Sequence, residues 1–240
     1  MITEQTLVSV AATGDRWLYR WGGLSALLIG LGYIITIPLY VYTGPPPSGG
    51  EARLHYLVGK TTVWWAILGL SVLTDLLFLP VALALYRALK DVNRNAMLLA
   101  TTLVGLFVVV DLAVTWTNYA ALIALSDHYT AATTDIQRTA DVAAANYASA
   151  VLESSLEAIY SILILSLGIL VIGLVMRRAD FGKGTAYVGV VTGLLGVVAA
   201  LGPFFASVLS VTIILVSLLT TLWILLVGFR LFRLSVTTRP

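Results

Sequence analysis

The 240-residue chain contains no cysteine. That excludes disulfides, thiolate metal sites, iron–sulfur ligation and a cysteine nucleophile. Charge is nearly as scarce: 11% of residues are Asp, Glu, Lys or Arg, against 59% hydrophobic. A soluble domain carries about 25% charged residues, and a chain this poor in them cannot cover a water-facing surface. The only histidines are His55 and His128, both outside the long apolar runs, so none lies at depth to serve a serine nucleophile. H-E-x-x-H and G-x-S-x-G are missing, as is the Gly-x-Gly-Asp context of intramembrane aspartyl proteases. The balance is against an enzyme, and the sequence leaves any cofactor unidentified. No hydrophilic segment is long enough for a second, soluble domain.

What the chain has instead is apolar length, with a mean hydropathy of +0.96. The apolar stretches reach ~20 residues or more without alternating polarity, which marks helices and not barrel strands. The expected fold is all-α: one polytopic six-helix transmembrane bundle with spans at about 21–42, 60–86, 97–125, 150–176, 185–201 and 205–229. Arg16 and Arg20 before the first apolar run imitate a signal peptide. The run is too long for one and no A-x-A site follows it, so it reads as a retained helix. Met1–Asp15, ahead of it, is polar and expected to fray or lie on the membrane surface.

Between spans, Gly44–Gly50 (GPPPSGG) is an exposed loop, followed by a short interfacial helix carrying Glu51, Arg53 and His55. Ser126–Ala150 is the longest connection. Thr134 with Gln137 suggests a capping box, opening an extramembrane helix that continues, or nearly continues, into the fourth span. Gly202-Pro203 divides a final apolar run too long for one crossing into a hairpin. Gly22, Ala26 and Gly30 on the first span, and Gly189, Gly193 and Gly196 on the fifth, form small-residue faces for close helix packing.

With six spans, one side of the membrane holds 11 of the 14 basic residues, and only Arg53, Lys60 and Arg138 lie on the other. The positive-inside rule then puts both termini in the cytoplasm. The same scatter of basic residues sets nucleic acid aside as a partner.

The acids inside the apolar runs carry what functional signal there is. At ~1.5 Å of helical rise per residue, Asp75 lies about 18 Å above Arg87 and Asp111 about 25 Å above Arg94. Glu157 is roughly 30 Å, and Glu153 and Asn118 roughly 36 Å, from their basic flanks. On uninterrupted helices Asp111, Thr115 and Asn118 share a face, as do Glu153, Glu157 and Ser161. Nothing basic occurs at the depth of Asp75 or Asp111. Each must be protonated, hydrated, or paired with a cation from outside the chain. The structural alternative is that both are neutral and bond to main-chain carbonyls or hydroxyls, pinning helices together. Glu153 and Glu157 sit high enough to reach interfacial water. They also form half of a possible metal site that His55 and His128 could complete from above. Glu-x-x-x-Glu is a common helical pattern, however, and no metal is assigned.

Ala82–Ala100 (ALALYRALKDVNRNAMLLA) and Gly184–Phe204 (GTAYVGVVTGLLGVVAALGPF) resemble a family of bacterial membrane proteins defined as domain of unknown function 4386. The resemblance implies the six-span fold and the bacterial inner membrane, and brings no catalytic residues.

Taken together, the expectation is a non-enzymatic membrane protein whose outward-opening acidic cavity binds or conducts a cation, a proton or a small amphipathic molecule. Asp111 is its central charge and Asp75 lies below, with Glu157, Glu153 and Asn118 along the approach. A structural or assembly subunit docking a membrane-protein partner is the alternative. An intramembrane enzyme acting on a lipid-soluble substrate, with Asp75 and Asp111 as a dyad, comes third.

Overall fold

The computed structural model describes residues 4–179, 181–204 and 212–237, and those residues contain no strand. Helix α1 spans Glu4–Thr43, α2 Gly50–Leu57 and α3 Thr61–Leu89. Helix α4 (Arg94–Val110) passes through a π-helical turn at Asp111–Trp116 into α5 (Thr117–Ala131). Helix α6 covers Asp135–Leu152, and α7 is a single turn at Ser155–Glu157. A second π-helical turn at Ala158–Leu163 leads into α8 (Ile164–Met176), followed by α9 (Lys183–Leu201) and α10 (Thr212–Thr237).

Six of these stretches are long and apolar enough to cross a membrane, as expected, but several boundaries differ. Residues expected to fray at the N-terminus continue α1 back to Glu4. The fourth crossing begins at Ser155, because the chain turns at Glu153–Ser154 and separates α6 from the span. The expected start of the sixth, at 205, lies outside the described residues, and α10 runs on to Thr237.

The third stretch, Arg94–Ala131, has 38 residues. At ~1.5 Å per residue it is about 57 Å long, nearly twice a ~30 Å hydrocarbon layer. Its α5 end therefore stands clear of the bilayer, and α6 folds back along it and onto α2. The capping box that starts α6 is present: Thr134 Oγ1 accepts from Gln137 N, and Gln137 Oε1 accepts from Thr134 N, each at 3.3 Å. The GPPPSGG loop turns at Gly44 and Gly49, whose φ values of +72° and +86° suit only glycine.

The spans close into a ring in chain order: α1 packs on α3, α3 on α4, α4 on α8, α8 on α9, α9 on α10, and α10 back on α1. Glycine makes the close approaches. A Cβ at Gly22 would strike Ala84, one at Gly30 Leu225, one at Gly193 the backbone of Leu170, and one at Gly196 Ser166. The small-residue faces seen in the sequence are thus covered within the chain.

Two apolar clusters result. One fills the ring toward its basic end, around Ile29, Leu85, Met97, Ile172 and Trp223. The other lies under α2 and α6, around Leu54, Trp64, Ile67, Leu122 and Ala145. Outward, leucines such as Leu31, Leu73, Leu83, Leu99, Leu194 and Leu218 are exposed, which fits lipid around the ring. At the basic end Asn93, Arg177 and Arg178 border one notch, and Arg230 lies against Gly182.

Candidate functional site

Between the two clusters the ring encloses a cavity of about 280 Å³. It is lined by α1, α3, α4, the two π-helical turns, α8 and α10; α9 contributes nothing to it. Asp75 and Asp111 both line it, 3% and 4% exposed. The two carboxyls come within side-chain hydrogen-bonding reach of each other. The two acids therefore belong to one site.

Helix geometry explains how the pair is held. In an α-helix the residue five positions on lies about 140° around the axis, so position 116 would turn away from position 111. In the π-helical turn hydrogen bonds run from i to i+5, which stacks residues five apart. Thr117 shows the longer spacing, its hydroxyl donating to Leu112 O at 2.9 Å. Trp116 thereby joins Asp111 on the cavity face, and its Nε1 donates to Asp75 Oδ2 at 2.6 Å. The indole fixes one carboxyl, while the other lies close to Thr115 and Trp116. Asp111 Oδ1 is buried with no hydrogen-bond partner, as are Thr115 Oγ1 beside it and Tyr160 Oη on the facing turn.

No basic side chain among the described residues pairs with either acid. A hydrogen bond between two carboxyls needs a proton on one of them, and two bare carboxylates need a cation.

Hydroxyls and rings complete the wall. Tyr33 and Tyr40 line the cavity within electrostatic range of both acids. Ser71, Thr74, Ser161, Ser166, Thr220 and Thr221 line it as well. On the α2 side an aromatic stack closes over it. Trp64 lies parallel to Tyr119 (centroids 5.2 Å, planes 13° apart) and edge-on to Tyr40 at 5.7 Å. Tyr119 in turn meets Trp116 at 5.8 Å.

The other residues singled out in the sequence go elsewhere. Asn118 donates to Val114 O of its own helix at 2.7 Å and does not line the cavity, because the π-helical turn shifts it off the Asp111 face. Glu153 sits at the break before α7. Its Oε1 accepts from Gly49 N at 2.9 Å and pairs with Arg53 at 3.3 Å, which ties the GPPPSGG loop down. Glu157 is half-buried above the cavity, within electrostatic range of Asp111, Tyr40 and Tyr119, without lining it. His55 is exposed and contacts Tyr129, its Nε2 lying 3.3 Å from the Tyr129 hydroxyl. His128 borders a separate outer groove between α5 and α6. Among the described residues no three His, Asp or Glu side chains converge as metal ligands.

Comparison with protein-family models, with curated proteins and with solved structures returns no match in any of the three.

Two participants escape a reading of the sequence. Trp116 carries a usable signal, since a tryptophan in mid-span lies away from the interfacial belts where that residue collects. Arg53, taken for an interfacial residue, is 6% exposed, and its Nε also donates to Pro47 O at 2.9 Å.

Proposed function

We propose that this is an integral protein of a bacterial inner membrane, with both termini cytoplasmic. It binds a cation, or a small molecule carrying one, in the cavity at Asp75 and Asp111. The basic residues gathered at one end of the ring support the orientation through the positive-inside rule. The same reading includes kinship with the domain-of-unknown-function 4386 family, proposed from residues 82–100 and 184–204 alone. The functional reading rests on one observation: two facing buried carboxyls without a basic partner in the wall of one cavity, with Asp111 Oδ1 lacking a hydrogen-bond partner. Ser217 is exposed and Ser161 half-buried at the cavity's outer rim, which supports access from the non-cytoplasmic side. The same carboxyls can carry a proton when no cation is bound.

The test is thermal unfolding of the purified protein in mild detergent, at constant ionic strength, across chlorides of sodium, potassium and simple alkylammonium ions. A ligand that binds only the folded state raises the midpoint in proportion to its occupancy. At least one cation is expected to stabilise the wild type and to leave Asp111→Asn unmoved. If every cation acts equally on both proteins, the reading is wrong.

The facing carboxyls also favour a second reading, hydrolysis by an aspartyl dyad. Turnover of a lipid-like ester or amide that is abolished by Asp75→Ala would replace binding with catalysis.

A further inference from the structure

We infer that the cation this cavity takes is organic, a compact alkylammonium ion, and not a metal ion. This rests on the reading that the Asp75–Asp111 pair binds positive charge, and it follows from the size and lining of the space around that pair.

The first observation is volume. At ~30 Å³ per molecule of liquid water, 280 Å³ holds about nine waters. A sodium or magnesium ion needs oxygens converging at roughly 2.0–2.6 Å, so in a void this wide it would have to bring most of its shell as water. An ammonium nitrogen needs only one or two acceptors and brings carbon to fill the remainder.

The second observation is the lining. Tyr33, Tyr40, Phe107 and Trp116 present aromatic surface to the same space as the carboxyls. Aromatic faces attract weakly hydrated organic cations, alkylammonium ions above all, through the ring quadrupole. Below the acids, Leu165 and Ile169 offer apolar contact for an alkyl body.

The third is the division of labour between the acids. Asp75 Oδ2 is already taken by Trp116 Nε1 at 2.6 Å, whereas Asp111 Oδ1 is buried without a partner. An N–H of a primary, secondary or tertiary ammonium in the cavity would satisfy that atom once the Asp111 carboxyl turns toward it. Its substituents would then share the cavity with the Trp116 and Tyr33 side chains. An ion with alkyl chains can partition into the outer leaflet before it enters, which suits a site whose rim, at Ser217, is exposed within a membrane-spanning helix.

The experiment is isothermal titration of the full-length protein in detergent with triethylammonium chloride and, separately, with sodium and potassium chloride, each against a matched ionic-strength blank. Triethylammonium is expected to bind at least tenfold tighter than either metal ion. Asp111→Asn should remove binding. Tyr33→Leu should weaken triethylammonium at least fivefold and leave any metal-ion binding unchanged, whereas Trp116→Leu, which also frees Asp75, should weaken triethylammonium at least fivefold whatever it does to metal ions. Asp111→Glu, which keeps the charge, should retain part of the affinity and guards against a misfolded Asp111→Asn. Binding of sodium or potassium that depends on Asp111, with none of triethylammonium, would overturn the organic ligand and leave the cation site standing. Absence of binding by all three would overturn both. Triethylammonium binding that ignores Tyr33→Leu and Trp116→Leu would overturn the role of the rings.

Discussion

Trp116 Nε1 donates to Asp75 Oδ2 at 2.6 Å, bridging the third span to the second at the level of the cavity. In a low-dielectric interior this bond fixes the Asp75 side chain in place beside Asp111. Trp116→Phe keeps an aromatic ring but leaves Asp75 short of a donor. The expected cost is about 1–3 kcal/mol, the penalty for an unsatisfied buried polar group. Thermal unfolding in detergent reads it directly, and a loss no larger than that of Trp65→Phe, an exposed tryptophan on the same pair of spans' outer end, would show that the bond carries no stability.

The outer loop is predicted to depend on Arg53 more than on Glu153. Arg53 is buried, donates to Pro47 O and pairs with Glu153, whose side chain is 35% exposed. Arg53→Met keeps the aliphatic stem and removes the donors, for an expected loss of about 1–3 kcal/mol. Glu153→Gln still accepts from Gly49 N and should cost no more than ~1 kcal/mol. Limited proteolysis between residues 44 and 57 should accelerate in the first variant and scarcely change in the second. Equal acceleration in both would place the anchor in the ion pair alone.

Glycine positions separate packing from propensity. A Cβ at Gly193 would fall on the backbone of Leu170, which cannot yield, while one at Gly105 meets nothing within 4 Å. Gly193→Ala is expected to pry α9 from α8 at about 1–3 kcal/mol. Gly105→Ala should be neutral or stabilise by up to ~1 kcal/mol through helix propensity. The same unfolding assay ranks them. Matching effects at the two positions would mean that the α8–α9 seam is looser than its geometry.

The ring of six crossings is legible in the sequence because bilayer thickness dictates the length of an apolar run. Even the meeting of Asp75 and Asp111 is within reach, since both depths count from basic flanks of a single short turn. What fails is any inference that assumes uninterrupted 3.6-residue periodicity. Asn118 leaves the Asp111 face because six residues wind as a π-helix, and nothing in DLAVTW announces it. Glu153 leaves the Glu157 face because the chain turns at Ser154, where neither glycine nor proline marks a break. The cavity lies where the π-helical turns at Asp111–Trp116 and Ala158–Leu163 face each other. Local rules place the helices, and departures from them place the site.

The orientation of the bundle yields a test that the absence of cysteine makes clean. Any single introduced thiol is the only one in the chain. Lys90 lies in the turn between α3 and α4, among the basic flanks, and Thr133 is exposed in the turn between α5 and α6, at the opposite end. The positive-inside rule puts the first in the cytoplasm and the second outside it. With a membrane-impermeant maleimide applied to intact spheroplasts, Thr133→Cys should label at once. Lys90→Cys should label only after the membrane is permeabilised. The reverse pattern would invert the protein, turn the Ser217 rim toward the cytoplasm, and require that the cavity draw its cation from inside the cell.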